Sequence, residues 1–199
     1  MMSIAGPDAT VPSTSRRTFL RRGVAGVAVT AAGISSGVAS GAVRSEASDN
    51  RRRLKLVNTH TWESLDVVYF TRGMYIDESL TAISHLMRDH RAGVECAMDR
   101  VLFDSLSRLH ASLDTEEPLH LLSGYRTPET NAKLRQRSKG VAKFSLHMEG
   151  RAADIYVPGV PTRTLQQAAL SMQAGGVGYY GRSGFVHIDT GSVRHWERG

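Results

Sequence analysis

The chain of 199 residues has a single cysteine, Cys96, and therefore cannot form an internal disulfide bond. Its stability must come from a packed core, for which a hydrophobic content of 41% is sufficient, and from a metal if one is bound. No histidine lies at a helpful spacing from Cys96, so the sequence does not indicate a nucleophilic thiol. We interpret Cys96 as a structural residue.

The chain also lacks a strong excess of one charge and a long hydrophobic run. Its formal net charge is +6, but four arginines and one aspartate precede residue 43, which leaves 21 basic and 18 acidic residues after it. That surplus is too small to indicate a nucleic-acid partner. Residues 23–43 carry no charge, but they are too poor in Leu, Ile and Phe to predict a membrane span.

The first 42 residues have the layout of a twin-arginine export signal. The string Ser-Arg-Arg-Thr-Phe-Leu-Arg at 15–21 precedes a weakly apolar stretch of Gly, Ala, Val and Ser. We therefore predict a signal segment at 1–42, a flexible linker at 43–53 and one domain at 54–199. A signal of this type predicts a periplasmic protein with no stable membrane span after export. The alternative is a disordered basic arm that happens to contain the arginine pair.

Hydrophobic periodicity predicts both strands and helices from residue 54 onward. The predicted strands are 54–58, 65–70, 119–123, 152–157, 177–180 and 185–189, and the predicted helices are 76–91, 101–113, 162–172 and one that begins near 128. Asp77 is expected to cap the first helix and Gly93 to end it. Because helices come first and a mainly antiparallel sheet comes later, we predict an α+β fold with a small sheet flanked by helices.

Two histidines and an aspartate are candidates for a metal site. His147 and Asp154 lie seven residues apart, and the small residues between them, including Gly150, allow the backbone to turn closely around an ion. Strand alternation directs Asp154 away from the face shared by Ala153 and Ile155. Each residue taken singly is more often structural, so the prediction depends on their combination.

The predicted strand at 185–189 contributes the third candidate. Phe185, His187 and Asp189 share one face of this strand, whereas Val186 and Ile188 share the apolar face that suits the core. His187 and Asp189 therefore project together into a groove. Two imidazoles and one carboxylate leave one of four tetrahedral positions of a zinc ion free, as a catalytic site requires. The predicted zinc ligands are His147, Asp154 and His187.

A further element, Ser-Gly-Tyr-Arg at 123–126, follows a predicted buried strand. From there Arg126 can reach over the edge of the sheet, where its charge would bind a substrate carboxylate or stabilise an oxyanion. The remaining histidines lack ligand-like spacing. His85 and His90, for example, are five residues apart, not the three or four that place side chains on one helical face.

With all these parts in order, the sequence resembles the D-Ala-D-Ala metallopeptidases, which share a fold with lysostaphin-type peptidases and the hedgehog signalling domain. The resemblance rests on Ser-x-His-x-x-Gly-x-Ala-x-Asp at 145–154, the later His187 and the upstream Ser-Gly-Tyr-Arg, and it runs from about Leu54 to Trp196. It implies a Zn²⁺-dependent endopeptidase that cuts meso-diaminopimelate cross-links between the stem peptides of peptidoglycan.

The same resemblance implies that the two histidines and Asp154 hold the zinc and that Arg126 helps to polarise the scissile carbonyl. Several relatives place an acidic general base three residues before the last ligand, where this chain has Gly184. We therefore predict Asp189 as the base, since it shares a strand face with His187. The alternative is that Asp189 only orients a ligand. His195 is a further candidate, as a proton donor or a substrate contact.

Two other functions stay open on the sequence. A carboxypeptidase of the same fold would remove terminal D-Ala instead of cutting cross-links. A non-catalytic module would bind the wall or a metal without hydrolysis, and the glycine at position 184 is the feature that favours it.

Overall fold

The computed structural model describes residues 50–138 and 140–199. The predicted signal segment at 1–42 lies outside the described residues, as does most of the predicted linker at 43–53. The first strand begins at Arg52, so the end of that predicted linker belongs to the sheet. The reason is that Arg52 pairs in register with Phe70 and Arg53 forms an ion pair with Asp66 of the neighbouring strand.

The described residues form eight strands, four α-helices and one short 3₁₀ helix. The strands are β1 Arg52–Asn58, β2 Ser64–Thr71, β3 Met74–Tyr75, β4 Leu119–Ser123, β5 Ala152–Tyr156, β6 Gly176–Tyr180, β7 Phe185–Asp189 and β8 Arg194–Arg198. The helices are α1 Asp77–Leu86, α2 Arg100–Ser112, α3 Pro128–Arg137 and α4 Thr162–Ser171, with the 3₁₀ helix at Leu146–Glu149. The α+β prediction is confirmed. None of these helices has the length and apolar character that a membrane span requires.

All eight strands belong to one mixed sheet with the order β3-β2-β1-β4-β5-β7-β6-β8. Two neighbouring pairs are parallel, β1 with β4 and β6 with β8, and the other five pairs are antiparallel. The sheet has two strands more than the sequence pattern predicts. The two strands that the pattern does not predict are β3, which has only two residues, and β8, whose sequence Arg-His-Trp-Glu-Arg has no apolar alternation.

One face of the sheet is apolar and forms the core together with α1, α2 and α4. The core side chains that the sheet contributes come from alternate positions of its strands, as pleating requires. They include Leu54, Leu56, Leu119, Leu121, Ala153, Ile155, Val186 and Ile188. The intervening residues of β5 and β7, among them Asp154 and His187, lie on the opposite face, as the alternation predicts.

The first helix is shorter than predicted. α1 has Ile76, not Asp77, at its N-cap, and it ends at Leu86 instead of continuing to residue 91. The chain leaves the helix because Asp89 is buried, where its carboxylate accepts hydrogen bonds from the backbone N–H of Thr127 at 2.9 Å and from its hydroxyl at 3.0 Å. This contact attaches the turn after α1 to the loop that follows β4.

Gly124 in that loop lies against the backbone of Met87. The N–H of Tyr125 donates to the carbonyl of Met87 at 2.8 Å, and a Cβ on Gly124 would lie 2.9 Å from the Cβ of Met87 and closer still to its carbonyl oxygen. A larger residue could not occupy position 124 without separating these segments. The loop that carries Arg126 is therefore fixed to the core through a glycine contact.

We expect a Gly124→Ala substitution to lower the free energy of unfolding by about 1–3 kcal/mol, the usual cost of overpacking, because its methyl group would push against the backbone of Met87. Urea denaturation followed by circular dichroism measures this change. The matched control is Gly199→Ala, where nothing lies within 4 Å of the added carbon and no change is expected. Equal stability of the two variants would contradict the contact.

Candidate metal centre

The strand register places the candidate residues in one row across the polar face of the sheet. Asp154 of β5 lies opposite His187 of β7, and Ser123 of β4 lies on the other side of Asp154. Gly178 and Trp196 continue the row beyond His187. Side chains of directly opposed residues start about 5 Å apart, so the carboxylate of Asp154 and the ring of His187 meet without long-range rearrangement.

His147 reaches this row from the 3₁₀ helix. The helix ends at Gly150, which has a φ of +67°, and a Cβ there would lie 2.9 Å from the Sγ of Cys96. Glycine is required here for the left-handed backbone and for the close approach. The Nδ1–H of His147 donates to the carbonyl of Gly124 at 2.7 Å, which directs its Nε2 toward the other two residues.

Three donor atoms converge at one point. The Nε2 of His147 lies 3.2 Å from the Nδ1 of His187 and 3.3 Å from the Oδ1 of Asp154, and the last two atoms are 2.8 Å apart. All three side chains are buried, and the ligand atoms lie within 4.8 Å of one another. The structure thus brings together the three residues that the sequence predicts as ligands, in a group that could hold a metal ion.

The outward nitrogens of both rings show that this group fits a cation. The Nδ1 of His147 faces a carbonyl, and the Nε2 of His187 faces the Oδ2 of Asp189 at 3.0 Å, so each outward nitrogen carries the proton. Each inward nitrogen of a neutral ring then presents a lone pair to the same point as the carboxylate oxygen of Asp154. Two imidazole nitrogens and one carboxylate oxygen are a donor set that suits zinc.

The electrostatics of the group favour positive charge at its centre. Burial alone would raise the pKa of Asp154, but His147, His187 and Arg126 hold it well below its usual range. Burial lowers the pKa of His147. Burial also opposes the charged form of His187, but hydrogen bonds to Asp154 and Asp189 raise its pKa above the usual value. The carboxylate therefore stays ionised beside a position where positive charge is stabilised.

Arg126 lies beside the three ligand candidates, as predicted. Its Nε donates to the hydroxyl of Ser123 at 2.7 Å, and one Nη donates to the Oδ2 of Asp154. The carboxylate of Asp154 thus offers one oxygen to the ligand cluster and the other to the arginine. Because Ser123 and Asp154 pair in register, the guanidinium is held at a fixed position next to the cluster.

Comparison with known proteins agrees with this geometry. A family model described as peptidoglycan L,D-endopeptidase MepK matches residues 46–196. The chain belongs to the MepK peptidase family. The peptidoglycan L,D-endopeptidase MepK of Escherichia coli strain K12 is 50% identical over 145 residues, which cover 73% of this chain and 80% of that protein. A probable peptidoglycan L,D-endopeptidase MepK of Haemophilus influenzae is 37% identical over 147 residues, covering 73% and 79%. No solved structure gives a significant match.

In this MepK family member, Asp189 lies behind His187 and has no exposed side-chain surface. Its Oδ1 accepts from the backbone N–H groups of Gly176 and Gly191 and from Arg194, and its Oδ2 accepts from His187 and Arg194. Burial would raise the pKa of Asp189, but these hydrogen bonds lower it below its usual range. A carboxylate so occupied is placed to orient His187, which is the alternative role, and the role of Asp189 as the base stays a prediction.

The groove in front of the cluster has a volume of about 430 Å³. Asp154 and Asp189 are the acidic residues among its described lining, and both are engaged, so this lining offers no free carboxylate as a general base. Trp196 forms one wall, with its ring centroid 5.2 Å from that of His187. The indole has room because residue 178 is glycine: a Cβ there would lie only 2.5 Å from it.

His195 does not reach the groove. Residues of β8 alternate between two faces, and Arg194, Trp196 and Arg198 line the groove, whereas His195 is exposed on the other face. The structure therefore does not bring this predicted participant to the site. The sequence did not indicate two groups that orient the histidines: the carbonyl of Gly124, which contacts His147, and Arg194, which contacts Asp189 behind His187. Neither group lies at a residue spacing typical of a metal site.

An Asp189→Asn substitution should weaken metal binding by about 10–100-fold, the usual cost of losing the partner of a histidine ligand, since a neutral amide holds the Nε2 proton of His187 less firmly. Competition with a chromophoric zinc chelator measures the affinity. His147→Ala should abolish binding, and the control His195→Ala should leave it unchanged. Unchanged affinity in Asp189→Asn, with a large loss of kcat, would instead restore the role of base.

Proposed function

We propose that this chain is a zinc-dependent endopeptidase that hydrolyses meso-diaminopimelate cross-links between the stem peptides of peptidoglycan. The observation that carries the proposal is the convergence of two imidazole nitrogens and one carboxylate oxygen at the floor of an open groove. The relatives from E. coli and H. influenzae, a peptidoglycan L,D-endopeptidase and a probable one, support peptidoglycan as the substrate and endopeptidase cleavage as the reaction.

His147, Asp154 and His187 would hold the ion, and all three residues line the groove. When bound, zinc supplies a Lewis acid that polarises a carbonyl and lowers the pKa of water. Two protein groups keep the ligands in the required form. The carbonyl of Gly124 fixes the tautomer and orientation of His147, and Asp189 does the same for His187.

Arg126 would stabilise the negative charge that develops on the oxygen of the scissile carbonyl. Ser123 and Asp154 each engage one nitrogen of its guanidinium, and a guanidinium has five N–H donors. Arg126 lines the groove beside the ligand cluster. Because the guanidinium is already oriented, it does not have to reorganise as charge develops, which is the condition for effective electrostatic stabilisation.

The purified mature protein should release uncross-linked muropeptides from isolated sacculi, because the ligand cluster lines a groove of about 430 Å³ on the surface of the protein. Liquid chromatography with mass spectrometry identifies the products. A His147→Ala variant should lose at least about 1,000-fold in rate, since removing a ligand removes the Lewis acid. Release of free D-Ala alone would show a carboxypeptidase, and binding to sacculi without any product would show a non-catalytic module.

We further propose that the segment at 1–42 directs the protein to the periplasm through the twin-arginine pathway. The support is the string Ser-Arg-Arg-Thr-Phe-Leu-Arg, followed by a long uncharged stretch of small residues. The substrate class agrees with this location, because peptidoglycan lies outside the cytoplasm.

Replacing Arg16 and Arg17 together by lysine should keep the full chain in the cytoplasm, because the pathway recognises the arginine pair and not positive charge as such. Cell fractionation followed by immunoblotting measures the periplasmic share. The matched control replaces Arg21 and Arg22 by lysine, which makes the same exchange beside the pair. Equal export of the two double variants would contradict the twin-arginine proposal.

A further inference from the structure

Three arginines line the groove that contains the candidate metal centre: Arg126, Arg194 and Arg198. Two of them are neutralised by carboxylates. Arg126 donates to Asp154, and Arg194 donates to both oxygens of Asp189 at 3.0 and 2.7 Å. Both pairs belong to the support of the ligand cluster, so the charge of each of these arginines is balanced by a carboxylate within the site.

Arg198 differs from the other two arginines. It is exposed, and no described carboxylate lies within ion-pair distance of its guanidinium. The adjacent Glu197 lies on the opposite face of β8, where it pairs with Arg163 at 2.5 Å. A cation that borders a binding groove without a partner in the described chain is suited to bind an anionic group of a ligand.

The position of Arg198 is set by the backbone. Its carbonyl accepts from the N–H of Gly181 at 3.1 Å, and its stem passes 3.7 Å from the position that a Cβ on Gly140 would occupy. Strand alternation places it on the same face as Trp196, two residues along β8. Arg198 thus lies on the same wall of the groove as the tryptophan that contacts His187, and it lies beyond residues 46–196 that the family model covers.

The groove also offers an apolar surface near this cation. The rings of Tyr180 and Phe185 are stacked with centroids 4.4 Å apart, and both line the groove, with the Tyr180 hydroxyl accepting from the indole N–H of Trp196 at 3.2 Å. An aromatic wall next to a free guanidinium fits a ligand with an aliphatic chain that ends in a carboxylate. Meso-diaminopimelate has this chemistry, because it keeps one free carboxylate when its other carboxyl group forms an amide.

We propose that Arg198 is a specificity-determining residue that binds the free carboxylate of the diaminopimelate next to the scissile amide. The inference rests on the proposed function and adds to it the group that the enzyme recognises beside the cleaved bond. Arg198 selects substrates whose diaminopimelate carboxylate is free over those in which it is a carboxamide. It takes no part in the hydrolytic step itself.

The test compares two cross-linked peptides that differ only in having this carboxylate free or amidated. The unaltered protein should prefer the free carboxylate by about tenfold in kcat/KM, the value of one hydrogen bond to a charged group at an exposed site. Arg198→Gln should remove the preference through a higher KM with kcat nearly unchanged. Arg198→Lys should keep part of the preference, and the control Arg108→Gln, at an exposed position of α2, should keep all of it.

A second measurement does not depend on turnover. Calorimetric titration uses the uncross-linked stem tripeptide, which ends in diaminopimelate. Its binding to the unaltered protein should weaken by about tenfold in Arg198→Gln, and also when the diaminopimelate carboxylate that stays free in the cross-link is amidated. Equal affinity of the unaltered protein for both tripeptides would overturn the role of Arg198, whatever the activity. Absence of hydrolysis with the tripeptide preference intact would overturn the proposed endopeptidase function and leave the recognition of the carboxylate standing.

Discussion

The site depends on one register, the antiparallel pairing that sets Asp154 of β5 directly opposite His187 of β7. The same register places Ile155 opposite Val186 and Ala153 opposite Ile188 on the other face, where all four are buried in the core. A slip of one residue would turn His187 into the apolar core and expose its neighbours, at a cost of several buried aliphatic groups. The hydrophobic burial that fixes the sheet therefore also fixes two of the three ligand candidates.

The third ligand candidate lies outside the sheet and is positioned by a hydrogen bond to a loop. His147 comes from a short 3₁₀ helix, and the carbonyl of Gly124 sets the direction of its ring. Gly124 is itself held against Met87, and the loop after it is held by Asp89. Each ligand is thus oriented by a group that is fixed by further contacts, which is the arrangement that a rigid metal centre requires.

Much of this could be predicted from the sequence, because periodicity and strand alternation are local. Alternation in β5 and β7 correctly separated the core residues from Asp154 and His187, and it correctly put Asp189 on the face of His187. It could not show that Asp189 is occupied, because Gly176 comes from another strand and Arg194 is brought beside it by the pairing of β8 with β6. Strand β8 was missed for a related reason, since its pairing with β6 and not its own polar sequence makes it a strand.

The charges of the groove connect the metal centre with recognition. Among its described lining residues, three arginines face two aspartates, and both aspartates are committed to the ligand cluster and its support. A divalent ion at the cluster would add to this excess of positive charge. Because a concave surface with apolar walls focuses the field of its charges, the groove favours anionic ligands over neutral ones. The two aspartates are committed to the cluster and its support, which leaves Arg198, paired in register with Tyr180 two residues beyond Trp196 on β8, to provide the selectivity.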